Sequence, residues 1–501
     1  MRWNKKTYTH KLAVIGDSMG QGFQNGGIYR TDLSFPALLV RCFEPPTRFE
    51  VPSFSAQGGI PLNLEVLVRG LSEEFGNTLT WKHYVPAGIH LIRTLKRIKN
   101  HWEGSSRDLR VPRSEPWHNQ SIWGFAAKDS WMMTEKLCRK YIRENKPQYT
   151  IFNVLPDQAM YITGRLVLNP SFKPEYQDDN QLENIRRLHE DGGVENLIVC
   201  TGHNNFVGAL SALKLVYTKP DDLGASNFNR SYTVYRPEHF EKEMRGLFEK
   251  IGKLDIPNIV VPTYPYITIP PVTRGVNESK EKNHDGYFDY YTRFWIWDED
   301  FNPNKHPHLN KNEAIELDQL VDQYNNIIRS LSKEYGFIVA PVHRYVNAVA
   351  RRRLGVNTVR PFPPAFIEAL KRNSMTSHLV TPEGRVKLST DYLRIDDETH
   401  KLMQGGIFSL DGLHPSTIGY GLIANIYRMS MAEAGVKFDK PIDWDFVIES
   451  DTLVSDPPYL LAELRQLLRF LSLGRQERFV RFGKSLLQRI LETFTRQSEQ
   501  V

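Results

Sequence analysis

The sequence predicts an α/β protein built on a mostly parallel sheet that is covered on both faces. Three observations carry this. Runs such as Leu12–Ile15 and Asn196–Cys200 are almost wholly apolar instead of alternating, the pattern of strands buried on both sides. Stretches with helical spacing lie between the runs. Both runs lead into a glycine-containing turn, where a strand can hand over to a helix.

The elements follow in order. After a polar lead, Lys11–Ile15 reads as the first strand, ending at Gly16. A loop, Asp17–Gly27, precedes a helix over Leu33–Phe43. Trp117–Gly124 reads as a strand and tight turn, Lys128–Arg143 as a helix, and Tyr149–Leu155 as a further strand. Asn196–Cys200, Ile256–Pro262 and Gly336–Val342 complete the strands, with a helix over Glu313–Lys333 before the last. Two regions read as insertions. Residues 44–115 include a helical stretch near His90–His101 and a polar loop, Glu103–Glu115. Residues 263–310 are rich in proline and aromatics, among them Tyr264, Pro265, Tyr266, Pro270, Tyr291 and Trp295. Asp456-Pro457-Pro458 reads as a break before a final helical segment. The expected division is a main domain over 1–450 and a tail over 451–501.

The chain has 501 residues, 40% hydrophobic and 24% charged. That is ordinary globular composition and argues against disorder or a collagen-like fiber. No run approaches the roughly 18 apolar residues of a membrane span. The basic start, Met1–Lys6, has no apolar stretch behind it, so no signal peptide is expected. Cys42, Cys138 and Cys200 are odd in number and far apart. Neither disulfides nor zinc are expected, and a reducing cytoplasm fits. A net charge of +6 is mild and does not suggest nucleic acid. The excess is uneven, because residues 459–501 hold eight Arg or Lys against four Glu.

Four motifs carry possible chemistry. Gly16-Asp17-Ser18 directly follows the first strand, and reactive groups collect beyond the carboxyl ends of parallel strands. Alone it also fits a plain strand-to-helix turn. Asn119 with Gly124 follows an apolar stretch, and a glycine lets a substrate approach backbone N–H closely. Gly202-His203-Asn204-Asn205 follows another strand, and an amide there can donate to a developing oxyanion. Asp411-Gly412-Leu413-His414-Pro415 places an acid and an imidazole three residues apart. The carboxylate can hold Nδ1–H and leave Nε2 as a base, although a solvated loop before a helix start at Pro415 or Ser416 fits as well. His306-Pro-His308 lacks partner ligands and reads as a surface loop, not a metal site.

Taken together and in order, these motifs resemble the SGNH-hydrolase family, the GDSL esterases and lipases, over about residues 11–430. The resemblance implies a flavodoxin-like three-layer sandwich, here enlarged by insertions. It implies Ser18 as nucleophile, His414 as general base and Asp411 as its orienting acid. It implies an oxyanion hole from the Ser18 and Gly124 amides and the Asn204 side chain. The implied reaction is hydrolysis of a carboxylic ester through an acyl-enzyme, with no metal or cofactor. An alcohol acceptor would make it an acyltransferase, and a non-catalytic lipid- or glycan-binding relative is the rival of another class. One departure is Asn205, where the family usually carries Asp; Asn205→Asp is therefore expected to be mild in kcat compared with Asn204→Ala and Ser18→Ala.

The expected partner is a small-molecule or lipid ester. The aromatic stretch 263–310 reads equally as an acyl-pocket wall or lid and as packing. The tail carries leucines at helical spacing, Leu460, Leu461, Leu464, Leu467, Leu468 and Leu471, with arginines between. Packing on the domain or on a second subunit is preferred for it. Peripheral contact with an anionic membrane is the other reading.

Overall fold

The computed structural model describes residues 8–44, 47–104, 109–145, 155–223, 231–277, 286–350, 362–396 and 398–464. Four parallel strands form the central sheet. They are β1 (Ala13–Gly16), β2 (Asn196–Cys200), β3 (Asn258–Pro262) and β4 (Ile338–Ala340), side by side in that order. Ala13 pairs with Leu197, Leu197 with Ile259, and Val260 with Ile338. Residues 118–122 run along the free edge of β1. Val14 N–H donates to His118 O at 2.8 Å, Gln120 N–H to Val14 O at 2.9 Å, and Ile122 N–H to Gly16 O at 3.0 Å.

The continuous apolar runs make sense once the two faces are separated. Val14, Ile198, Cys200 and Val260 enter one apolar cluster, while Ala13, Ile15, Leu197, Val199, Ile259 and Val261 enter the other. Successive side chains point to opposite faces, so a strand covered on both sides must be apolar at every position. The helices that matter here are α1 (Ser18–Gln21), α2 (Phe35–Val40), α3 (Gln181–Glu190), α4 (Pro237–Gly252), α5 (Lys311–Tyr335), α6 (Val342–Val349) and α7 (Thr417–Glu433). Helices α2 and α7 contribute to the first cluster, and α3, α4 and α5 to the second. Packing, not propensity, is thus what holds the short helix α2.

Several boundaries differ from the sequence reading, each for a local reason. The Leu33–Phe43 helix shortens to α2 because Pro36 lacks an N–H and fits only a first turn. The Lys128–Arg143 helix is two helices, Asp129–Met132 and Glu135–Glu144. The Thr134 side chain accepts from Leu137 N–H and caps the second, which breaks the run. The loop Asp17–Gly27 contains the helical turn α1. Gly336–Val342 narrows to β4 because Pro341 already caps α6. His90–His101 lies within a longer helix, Tyr84–Glu103. Residues 273–310 hold a small antiparallel sheet of Thr273–Gly275, Tyr290–Arg293 and Leu309–Asn310. Of the expected strand Tyr149–Leu155, residues 149–154 lie outside the described residues, as do 465–501 of the tail. Leu453, Val454 and Leu464 join the same cluster as α2 and α7, so the chain up to 464 packs on the main body. Among the described residues, no helix is long and apolar enough to cross a membrane.

Candidate active site

Parallel strands deliver their following loops to one edge of the sheet, and the candidate residues gather there. Ser18 opens α1, two residues beyond the end of β1, and is 9% exposed. Asp17 sets this turn. Its Oδ1 accepts from Met19 N–H at 3.0 Å, its own N–H donates to Cys200 O at 3.0 Å, and Oδ2 meets His203 Nδ1 at 3.0 Å. The His203 ring also stands edge-on to Tyr264, 4.8 Å between centroids.

Asp411 and His414 come from the loop before α7. Pro415 and Ser416 end that loop, and Ser416 Oγ caps α7 by accepting from Gly419 N–H at 3.1 Å. His414 Nε2 lies 3.0 Å from Ser18 Oγ, and His414 Nδ1 lies 3.1 Å from Asp411 Oδ2. A carboxylate can only accept, so Nδ1 carries the proton and Nε2 is left to accept from the serine hydroxyl. Asp411 also accepts from Leu413 and His414 N–H, each at 2.8 Å, and from Gly26 N–H at 3.0 Å. Burial alone would raise this carboxyl group. His414 and the surrounding N–H donors outweigh it and hold the group below the ordinary carboxylate value. Phe23 lies against the imidazole, 4.4 Å between centroids.

The other expected residues reach the same place. Ser18, Gly124, His203, Asn204 and His414 all line one cavity of about 740 Å³, within the size range of small-molecule sites. Asn204 Nδ2 donates to Phe125 O at 2.9 Å, which fixes the amide. Gly124 has φ of +79°, and a Cβ there would meet Met160 Sδ at 2.4 Å, so the position demands glycine. Asn119 does not line this cavity. Its Nδ2 donates to Gly20 O at 2.8 Å and ties α1 to the sheet edge.

The aromatic stretch divides its work. Pro265, Tyr266 and Pro270 line the cavity, whereas Tyr264, Phe288 and Tyr291 are core residues. His306 Nδ1 accepts from Asn302 N–H, and His308 Nδ1 donates to His306 O, each at 3.0 Å; both bonds are local to that loop. Asp17, Cys200 and His203 place possible ligand atoms within 4.8 Å of one another. Burial and the Asp17 charge push the Cys200 thiol well above its usual range, while His203 and Asp17 bond directly.

Asn205 is held on both sides by the fold. Its Oδ1 accepts from Ala127 N–H at 3.0 Å, and its Nδ2 donates to Glu243 Oε2 at 3.1 Å. Burial pushes Glu243 up to about 7, against the pull of Lys128, Tyr235 and Asn205. Asn205→Asp would place a second carboxylate against it, so a pH-dependent cost in stability is expected beside the mild effect on kcat. A carboxyl raised in the fold contributes stability below its ordinary value, and that contribution is lost as pH rises through about 7. Aspartate at 205 should steepen this loss. The variant should melt close to wild type at pH 5.5, where the pair can share a proton, and several degrees lower at pH 8. Equal melting differences at the two pH values would contradict the coupling.

Comparison with known proteins adds little. No family model matches the chain, and no curated protein matches it. Among solved structures, it is similar to a "putative GDSL-like lipase" from Parabacteroides merdae at 12% identity, over 85% of this chain and 99% of that one. The TM-score is 0.25, so the reading of the site rests on its geometry alone.

Proposed function

We propose that the chain hydrolyzes carboxylic esters with Ser18 as nucleophile. The observation that carries this is the hydrogen-bonded series Asp411–His414–Ser18 at the wall of an apolar cavity. The topology is compatible. With residues 118–122 counted as a strand, the spatial order is second, first, third, fourth, fifth, the flavodoxin-like arrangement expected for the SGNH fold.

In this proposal His414 Nε2 takes the proton of Ser18 Oγ as the oxygen attacks the ester carbonyl carbon. Asp411 holds the imidazole in one tautomer and stabilizes the imidazolium. The tetrahedral oxyanion faces Asn204 and the backbone N–H groups of Ser18 and Gly124. Collapse breaks the bond to the alcohol oxygen, which leaves with the proton from His414. Water then attacks the acyl-serine, giving its proton to His414, and Ser18 is released with the acid product. The proton relay is complete in side chains, so the mechanism calls on no metal or cofactor. The three cysteines are free and buried, in keeping with the proposed cytoplasmic location.

Wild type should turn over p-nitrophenyl esters. Asn204→Ala should lower kcat by on the order of 10² to 10³ while KM moves little, because the contact strengthens in the transition state. A folded wild-type chain inert toward every ester in a panel from acetate to palmitate would count against the proposal. So would an Asn204→Ala variant with unchanged kcat.

A further inference from the structure

The cavity that meets Ser18 has a wall almost free of charge. It follows one face of α7, whose residues Gly419, Leu422, Ile423, Ile426 and Met429 repeat at helical spacing along it. From Gly419 to Met429 that face advances about 15 Å, at about 1.5 Å per residue. The opposite wall includes Val342, Val346 and Val349 of α6. No Asp, Glu or Lys is among the described residues that line it. Arg428 is the one permanently charged side chain there, near the C-terminal end of α7, whereas His414 precedes its first turn.

Arg428 is half-buried, and its Nε is enclosed without a hydrogen-bond partner. No described carboxylate forms an ion pair with it. A guanidinium keeps its charge at any working pH. A ligand anion in the cavity would accept from the remaining N–H groups of the guanidinium, and the apolar wall would strengthen the attraction by excluding water.

We infer that the preferred substrate is an ester with an apolar chain that ends in an anionic group bound by Arg428, which lies about 14 Å along α7 from Gly419. This rests on the proposed ester hydrolysis and adds to it the chain and its charged end. With carbon–carbon bonds of about 1.5 Å, each advancing about 1.25 Å when extended, that span corresponds to roughly eleven or twelve carbons. The anion can sit on the acyl part or on the alcohol part, and the two differ in which side of the ester enters the cavity.

The test compares paired substrates. One pair is the p-nitrophenyl esters of a twelve-carbon chain ending in methyl or in carboxylate. The other is the acetates of a twelve-carbon alcohol ending in methyl or in phosphate. Wild type should prefer the charged member of one pair by tenfold or more in kcat/KM, and that pair identifies which side of the ester enters. Arg428→Met should abolish the preference, read as a ratio within each protein so that a general loss of activity cancels. Arg428→Lys should restore part of it. A wild-type enzyme that hydrolyzes both members of each pair equally overturns this inference and leaves ester hydrolysis standing. A preference that survives in Arg428→Met also overturns it. A wild-type enzyme that hydrolyzes none of the four overturns the proposed function as well.

Discussion

Replacing Ser18 with alanine should lower ester turnover by on the order of 10⁶ in kcat, the scale seen when a serine nucleophile is removed from an intact site. The side chain is small and sits at the first position of α1, so little packing depends on its oxygen. Asp17 would still cap Met19 N–H, and Asp411 would still hold His414. Melting temperature should therefore change by no more than a degree or two while activity collapses. Residual hydrolysis at 10³ to 10⁴ above the water rate would be consistent with the remaining oxyanion donors. The measurement is steady-state turnover of a chromogenic ester alongside thermal unfolding of the same preparation.

Asp411→Asn should lower kcat by about 10⁴ through a different route. An amide offers one accepting oxygen and an NH₂ group in place of two accepting oxygens. The native carboxylate accepts from three backbone N–H groups and from His414 Nδ1. Asparagine cannot accept all four with equal geometry, and an NH₂ facing Nδ1 favors the tautomer with its proton on Nε2. Ser18 would then face a donor where it needs an acceptor. The substitution should also cost stability in a pH-dependent way. A carboxyl held below its ordinary value contributes stability above that value and loses it as pH falls through the lower folded value. The melting difference between wild type and Asp411→Asn should hold steady from pH 8 to pH 5 and shrink toward pH 3. A difference that grows on acidification would contradict the assigned role.

Much of the sheet was legible because two-sided burial imposes a simple pattern. Ala13–Gly16 and Asn196–Cys200 are buried at every position, and they read as apolar runs for that reason. Helix ends were less legible because side-chain caps and prolines set them. Thr134 splits one expected helix and Pro36 shortens another. The sequence motifs brought Ser18, Asp411 and His414 into view, and the fold brings Ser18 and His414 within 3.0 Å although 396 residues separate them.

What sequence reading missed are partners joined only by the fold. Asn25 Oδ1 accepts from Leu410 N–H at 3.0 Å, and the neighboring Gly26 amide reaches Asp411. Nothing local to Asn25 or Gly26 foretells an acceptor some 385 residues away. The Asp17–His203 bond is similar, although both residues lay inside motifs already singled out. Glu243 is the clearest case. It sits mid-helix in α4, and only the tertiary structure sets it against Asn205 and makes a substitution there sensitive to pH.

The central claim is that Ser18 is an activated nucleophile, and labeling with a fluorophosphonate tests it most directly, because the reagent forms a lasting bond only with such an oxygen. Wild type should acquire one adduct, located on the Ser18 peptide by mass spectrometry. Ser18→Ala should acquire none, and His414→Ala should label far more slowly. A folded wild-type chain that takes up no label, or a Ser18→Ala variant labeled as fully as wild type, would contradict the account.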